Sequence, residues 1–215
     1  MRTLYHFQYS PFSRRTRLAL AFKGLECELR DGRANPAYGE EAKKLWPFRT
    51  CPVLVEEDGR ALGDSVAIAR YLDAAYPAKP LWPTDAEGAR TAAEIVALVD
   101  GTLNTLVDVA TRYYALSKDP AWTAVRTEMV GRAQAGLDAL SARAQALGPR
   151  PLTSHGWCGP DIWLFTMVAW LDGLPARASG NANVTQLLSL AWTLPGPLLR
   201  WAEAFRERDD VRALG

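Results

Sequence analysis

Two serine hydroxyls lie close to the start of the chain, at Ser10 and Ser13, on either side of Pro11 and Phe12. Serine followed by proline is a common N-cap and first residue of a helix. The free N–H groups and the dipole at a helix N-terminus favour a nearby anion, to which a serine hydroxyl can also donate. The segment therefore predicts a helix start that is either an ordinary cap or a place where an anion is stabilised.

The cysteines do not form a motif for redox or metal chemistry. Cys27, Cys51 and Cys158 are odd in number and lack C-x-x-C spacing, so neither a disulfide framework nor a zinc site is predicted. His6 and His155 lie far apart and are unaccompanied by other ligand types. We therefore expect no metal, and the free thiols indicate a reducing, cytoplasmic compartment.

Composition and charge are those of an ordinary globular protein. The 215 residues include 25 Lys and Arg against 24 Asp and Glu, which gives a net charge of +1. This balance provides no basic excess for nucleic acid or an anionic membrane. The longest strongly apolar run, residues 162–171, is half of the about 20 residues that a membrane span needs. Neither a nucleic acid nor a membrane is expected as a partner.

The first part of the chain alternates strand and helix patterns. An aromatic-rich run precedes Pro11, helical spacing of apolar residues then ends at Gly24, and an Asp58-Gly59 pair is typical of a hairpin turn. A helix between two strands predicts that the strands are parallel. The predicted elements are a strand at 3–8, a helix at 11–23, a strand at 25–29, a short helix at 40–45, a hairpin at 52–62 and a helix at 66–72.

The second part of the chain has helical patterns alone. Three prolines within residues 77–83 predict a linker, because proline cannot continue a helix. We expect an α/β domain at residues 1–76, a linker at 77–85 and an all-α domain at 86–215. Helices are predicted at about 95–113, 121–147, 161–171, 184–190 and 197–208.

Four segments carry a resemblance to a known family: Tyr9 to Arg17, Cys51 to Leu54, Gly63 to Leu72 and Gly159 to Ile162. In these segments and their order, the chain resembles a cytosolic glutathione transferase of the serine type found in bacteria. The resemblance covers essentially the whole chain and implies a thioredoxin-like domain followed by an all-helical domain. It also implies an enzyme with glutathione as co-substrate, a small hydrophobic electrophile as second substrate, and a homodimer.

The resemblance implies that Ser10 is the catalytic residue, with Ser13 as the rival and Tyr5 and Tyr9 as further candidates. Redox proteins of the thioredoxin fold carry C-x-x-C where this chain has Ser10 and Ser13, so the nucleophilic sulfur must come from the substrate. A thiol with a pKa of about 8.5 is only slightly ionised at neutral pH. A charge-assisted hydrogen bond of roughly 1.5–3 kcal/mol lowers that pKa by about one to two units.

Glutathione-binding residues are implied at three further places. A cis peptide bond at Pro52 exposes the backbone of Cys51 to the cysteinyl unit of glutathione. The Cys51 thiol is either a buried apolar group without a role or a partner for a mixed disulfide. Asp64 and Ser65 place an acid and a hydroxyl at a helix start, which suits the ammonium and carboxylate of the γ-glutamyl unit. Arg49 is a candidate for the glycyl carboxylate.

The electrophile pocket is expected to include Phe12, Tyr113 and Tyr114. Because no residue identifies the second substrate, a glutathione-dependent peroxidase, isomerase or lyase stays open. A non-catalytic interaction domain of the same fold is the alternative from a different class.

Two other features are expected to be structural. The first helix is made basic by Arg14, Arg15, Arg17 and Lys23, and a solvated face is the ordinary reason for such a run. Asp161 caps the buried helix, with Gly159 expected at the N-cap position.

Overall fold

The computed structural model describes residues 1–111, 114–116 and 119–212. Its four strands are β1 (Thr3–His6), β2 (Glu28–Asp31), β3 (Val53–Val55) and β4 (Ala61–Leu62). They form one sheet in the order β2-β1-β3-β4. β1 is parallel to β2 and antiparallel to β3, which forms an antiparallel hairpin with β4. The predicted β-α-β and β-β-α order and the thioredoxin-like fold class are confirmed.

Three helices accompany the sheet, namely α1 (Pro11–Phe22), α2 (Pro36–Leu45) and α3 (Ser65–Ala75). Ser10 caps α1 and Asp64 caps α3. α2 begins earlier than predicted, because the Asn35 side chain accepts a hydrogen bond from the Ala37 N–H at 3.1 Å. The Asn-Pro start signal therefore outweighs the weak periodicity after it.

The regular elements of the second part of the chain, within its described residues, are all helical. Every helix predicted here is found with one or both ends shifted, and the predicted end of the first helix, at 112–113, lies outside the described residues. α9 and the two 3₁₀ turns are too short for a periodic signal. No helix of the described ranges is long and apolar enough to cross a membrane. The elements are α4 (Ala86–Ala110), a 3₁₀ turn (Tyr114–Leu116), α5 (Pro120–Leu147), α6 (Gly159–Asp172), a 3₁₀ turn (Pro175–Arg177), α7 (Ala182–Leu188), α8 (Gly196–Arg206) and α9 (Asp209–Arg212).

α6 is buried on nearly every side, as its apolar sequence predicts, and Trp163 within it is fully buried. The carboxylate of Asp161 closes its N-terminus by accepting from the Leu152 N–H at 2.8 Å and the Cys158 N–H at 2.9 Å. Cys158, not Gly159, is therefore the N-cap, because Asp161 reaches back to the N–H of that residue. Burial raises the pKa of Asp161 to about 6.

α1 lies between the two parts of the molecule and packs against both α3 and α6. Its apolar residues Leu18 and Ala19 are buried in the same core as α6. Two of its arginines are buried as well, since Arg15 is 2% exposed and Arg17 is 5% exposed. The expectation of a solvated basic face is wrong for these two residues, because Arg15 contacts α3, α4 and α6, and Arg17 forms hydrogen bonds with the end of β1 and the loop that follows it.

Candidate active site

Two cavities lie beside the N-terminus of α1. The larger, called here the main cavity, has a volume of about 410 Å³ and lies between the start of β3, the start of α3 and α4. It brings together six of the predicted site residues, namely Phe12, Arg49, Cys51, Pro52, Asp64 and Ser65.

The smaller cavity, called here the arginine cavity, has a volume of about 150 Å³ and lies between the start of α1 and α6. Ser10 and Pro11 line the arginine cavity, whereas Phe12 lines the main cavity. The first turn of α1 thus borders both spaces. Three arginines line the smaller space, namely Arg14, Arg17 and Arg177.

The two candidate serines lie in different environments. Ser10 is half-buried, and its Oγ accepts a hydrogen bond from the Ser13 N–H at 3.3 Å. An oxygen that accepts in this way still has its own proton to donate. Ser13 is 0% exposed, and its Oγ accepts from the Phe7 N–H at 3.2 Å. Ser10 therefore combines a cap with a hydroxyl at a cavity wall, whereas Ser13 is an internal bracing residue.

The two tyrosine candidates are also separated. The Tyr5 hydroxyl donates to Glu41 Oε2 at 2.9 Å and accepts from the Arg30 guanidinium at 2.8 Å, and the residue is 7% exposed. Tyr9 is 63% exposed and lines the arginine cavity next to Ser10. The Tyr5 hydroxyl is thus already hydrogen-bonded to other side chains, and Tyr9 lies at the edge of the arginine cavity beside Ser10.

The Cys51–Pro52 peptide bond is cis, as the family resemblance implies. Pro52 is buried at the start of β3, and Cys51 is half-buried in the wall of the main cavity. Burial raises the pKa of the Cys51 thiol to about 11, so the thiol is protonated at neutral pH and is a poor nucleophile. This favours the interpretation of its sulfur as a buried apolar group. Arg49 is exposed at the edge of the same cavity.

Asp64 and Ser65 start α3 at the main cavity. Asp64 Oδ1 accepts from the Val66 N–H at 2.8 Å and the Ala67 N–H at 3.1 Å, so the exposed carboxylate caps the helix. Ser65 as a whole residue is only 1% exposed, but it is one of the residues that line the cavity. Its Oγ accepts from Arg15 Nε at 2.8 Å, which leaves the hydroxyl proton available for a ligand.

Arg15 connects three elements, although no site role was expected for it from the sequence. It donates from α1 to Ser65 on α3 and, at 2.5 Å, to Asp100 Oδ1 on α4. The guanidinium carbon also lies 4.9 Å from the Phe12 ring centroid and 4.6 Å from that of Trp163. A signal was present, because Arg15 falls on the apolar stripe of α1, where a buried arginine needs a partner.

The three predicted electrophile-pocket residues have different outcomes. Phe12 lines the main cavity. Tyr113 lies outside the described residues, and Tyr114 begins a 3₁₀ turn with its side chain outside the described part. α4 provides the opposite wall through residues for which the sequence predicts no site role, among them Asn104 and Val107.

The arginine cavity is held by contacts from both parts of the chain. Arg17 donates to His6 Nδ1 at 3.0 Å and to the Gln8 carbonyl at 3.3 Å. Arg177 donates to the carbonyls of Gly173 at 2.9 Å and Trp170 at 2.5 Å. The partners are carbonyls and a ring nitrogen, so these hydrogen bonds position the guanidinium groups without neutralising them.

The chain is similar to known proteins over the segments that form the main cavity. A family model described as the N-terminal domain of glutathione S-transferases matches residues 4–80. A probable glutathione S-transferase GSTU1 from Oryza sativa subsp. indica is 31% identical over 225 residues, which cover 90% of this chain and 89% of that protein. The similarity therefore extends over both parts of the chain.

Two further matches differ in what they cover. A maleylacetoacetate isomerase from Dictyostelium discoideum is 32% identical over 109 residues, 48% of each protein. The chain spans about half or less of the curated relatives that it matches first. A crystal structure of a glutathione S-transferase from Methylobacillus flagellatus, with glutathione bound, aligns with a TM-score of 0.75 at 21% identity, covering 100% of this chain and 99% of that one. This last match shows a shared fold.

Proposed function

Because the chain belongs to the glutathione S-transferase family, we propose that it binds glutathione in the main cavity and activates the thiol for attack on an electrophile. The observation that carries this proposal is the convergence of Cys51, Asp64 and Ser65 on one cavity at the start of α1. These residues belong to different segments, and capping alone gives no reason for them to line a common space.

The proposed binding of glutathione uses complementary groups along this cavity. The Ser65 hydroxyl donates to the γ-glutamyl carboxylate, and the Asp64 carboxylate attracts the adjacent ammonium. The backbone of Cys51 pairs with the cysteinyl unit, and Arg49 at the edge attracts the glycyl carboxylate. Arg15 supports this arrangement by holding Ser65 Oγ through a bond of 2.8 Å.

Ser10 is the proposed donor to the glutathione thiolate. Its Oγ accepts from the Ser13 N–H, which turns the hydroxyl proton toward another acceptor. One charge-assisted hydrogen bond of roughly 1.5–3 kcal/mol lowers a thiol pKa of about 8.5 to near or below neutrality. The thiolate then attacks the electrophile, and the released proton passes to solvent.

Calorimetric titration with glutathione tests the binding part of this proposal. Ser65→Ala is expected to weaken binding by about tenfold, the equivalent of one hydrogen bond to a charged group. Ser154→Ala, on an exposed loop residue, is the control and is expected to bind like the wild type. Absence of binding by the wild type at millimolar glutathione would reject the proposal in favour of a non-catalytic interaction domain.

A glutathione-dependent isomerase is the second candidate function. The alignment with a maleylacetoacetate isomerase over 109 residues favours it, and such a reaction needs the same activated thiol. Incubation of the protein and glutathione with a cis-configured unsaturated diacid distinguishes the two activities. Release of the trans acid with glutathione unconsumed indicates isomerisation, whereas accumulation of a glutathione adduct indicates transfer.

We further propose that the protein acts in the cytoplasm as a homodimer. The free, non-motif cysteines support the compartment, because thiols persist in reducing conditions. Light scattering measures the assembly directly. A mass near 23.7 kDa, that of one chain, would exclude the dimer.

A further inference from the structure

We propose that the arginine cavity binds the carboxylate of the second substrate, so that the enzyme prefers small electrophiles that carry an anionic group. Arg14, Arg17 and Arg177 bring three positive side chains to a space of about 150 Å³. The proposal rests on the proposed function, because it assigns a chemical class to the second substrate of that reaction.

The charges in this cavity lack acidic partners. Within residues 1–111, 114–116 and 119–212, no carboxylate forms a salt bridge with Arg14, Arg17 or Arg177. The charge of Asp31 opposes the lowering of the Arg17 pKa, but Asp31 forms no salt bridge with Arg17 within the same described residues. Other arginines of the molecule, such as Arg15 with Asp100, do have such partners. Uncompensated cations around one space attract an anion into it.

The arginines also repel one another. Burial and the neighbouring charges of Arg206 and Arg177 lower the pKa of Arg14, and burial together with Arg14 lowers the pKa of Arg17 to about 10. Burial lowers the pKa of Arg177 as well. A bound carboxylate would offset this repulsion and accept charge-assisted hydrogen bonds from more than one guanidinium.

The size and position of the cavity fit a substrate carboxylate better than a whole glutathione. Ligand sites for larger molecules usually have at least about 300 Å³, twice the volume of this cavity. Ser10 lines the same space, so a carboxylate held there brings the rest of a small molecule next to the proposed thiolate. Trp170 on α6 provides an apolar wall for the carbon skeleton.

An unsaturated diacid illustrates the chemistry. The glutathione thiolate forms a C–S bond with one alkene carbon of fumarate, and the π electron pair moves to the other carbon. That carbon takes a proton from water, which replaces the proton that the thiol released. No oxidant or reductant is required.

Binding of succinate, an unreactive diacid, tests the cavity without any turnover. In calorimetric titrations, Arg14→Gln and Arg177→Gln are each expected to weaken succinate binding by about tenfold, the equivalent of one charge-assisted hydrogen bond. Arg90→Gln is the matched control, because Arg90 is an exposed arginine of α4. Failure of the wild type to bind succinate, or equal weakening in the control, would overturn the proposal.

Kinetic measurements distinguish a cavity that binds the carboxylate of the second substrate from one that binds a carboxylate of glutathione. The two cavity variants are expected to raise KM for fumarate about tenfold and to leave KM for dimethyl fumarate and Kd for glutathione unchanged. A loss of glutathione affinity with both fumarates affected alike would assign the cavity to glutathione and contradict the inference. If the wild type binds succinate but no glutathione, the proposed function fails while the anion site stands.

Discussion

Arg15 and Arg14 are neighbours on α1, yet they face opposite electrostatic situations. Arg15 is 2% exposed and is neutralised by Asp100, with its Nε on Ser65. Arg14 is half-buried above the Phe165 ring and has cations nearby in Arg177 and Arg206. Arg15 therefore has an acidic partner within the fold, whereas no salt bridge is formed by Arg14 in the described part of the chain.

The two arginines show what distinguishes a structural charge from one that is open to a ligand. A buried cation with a carboxylate partner needs nothing further, and its removal leaves that partner unpaired. A cluster of buried and half-buried cations without such partners raises the energy of the folded protein unless an anion binds beside them. On one helix, therefore, Arg15 holds the wall of the main cavity in place. Arg14 and Arg17 give the arginine cavity its positive charge.

Substitution of Arg15 is expected to lower the stability of the protein more than any other change considered for α1. Arg15→Ala leaves Asp100 and Ser65 without their shared partner, and breaking a buried ion pair costs about 3–5 kcal/mol. We expect the lower end of that range, since the Asp100 side chain is 20% exposed. Urea unfolding measures the change, with Arg90→Ala as the exposed control. A loss below about 1 kcal/mol would show that the pair contributes no more than a surface bridge.

The opposite sign is expected at Arg14. Arg14→Met keeps the packing against Phe165 and removes a charge that Arg177 and Arg206 repel. The free energy of unfolding should stay the same or rise by up to about 1 kcal/mol at low salt, with a smaller gain at high salt because ions screen the repulsion. A destabilisation similar to that of Arg15→Ala would remove the distinction between the two arginines.

Substitution of Cys51 is expected to have little effect. Burial keeps the Cys51 thiol protonated and neutral, unlike the arginines, which stay charged. That thiol has a pKa of about 11, so Cys51→Ala should keep kcat/KM within about twofold, since the backbone carries the proposed contact. The Cys51 thiol of the wild type should also react slowly with iodoacetamide at neutral pH. A large loss of activity would instead support a mixed disulfide at Cys51.

Much of the fold could be predicted, because its signals are local. Ser10 before Pro11, the Asp58-Gly59 turn and Asp64 at a helix start are short patterns with a direct physical meaning. The confirmed order of strands and helices along the first part of the chain follows from these patterns, whereas the strand order within the sheet is visible only in the structure. The N-cap of α6 was predicted one residue too late, since the reach of the Asp161 side chain to Cys158 is not visible from spacing.

The candidate site was less predictable, because it depends on distant contacts. The main-cavity residues were named from a family resemblance, and the role of Arg15 appears only when Asp100 lies beside it. Arg177 follows α6, more than a hundred residues after Arg14. No periodic pattern connects the two, so the arginine cavity could not be expected from the sequence.

The proposed role of Ser10 is to stabilise the thiolate of bound glutathione, and the pH dependence of kcat/KM reports on that thiolate. The wild type is expected to show an inflection about one to two pH units below the free-thiol value of about 8.5. Ser10→Ala should return that inflection toward the free-thiol value and keep the calorimetric Kd for glutathione nearly unchanged. Coincident pH profiles for the two proteins would contradict the account.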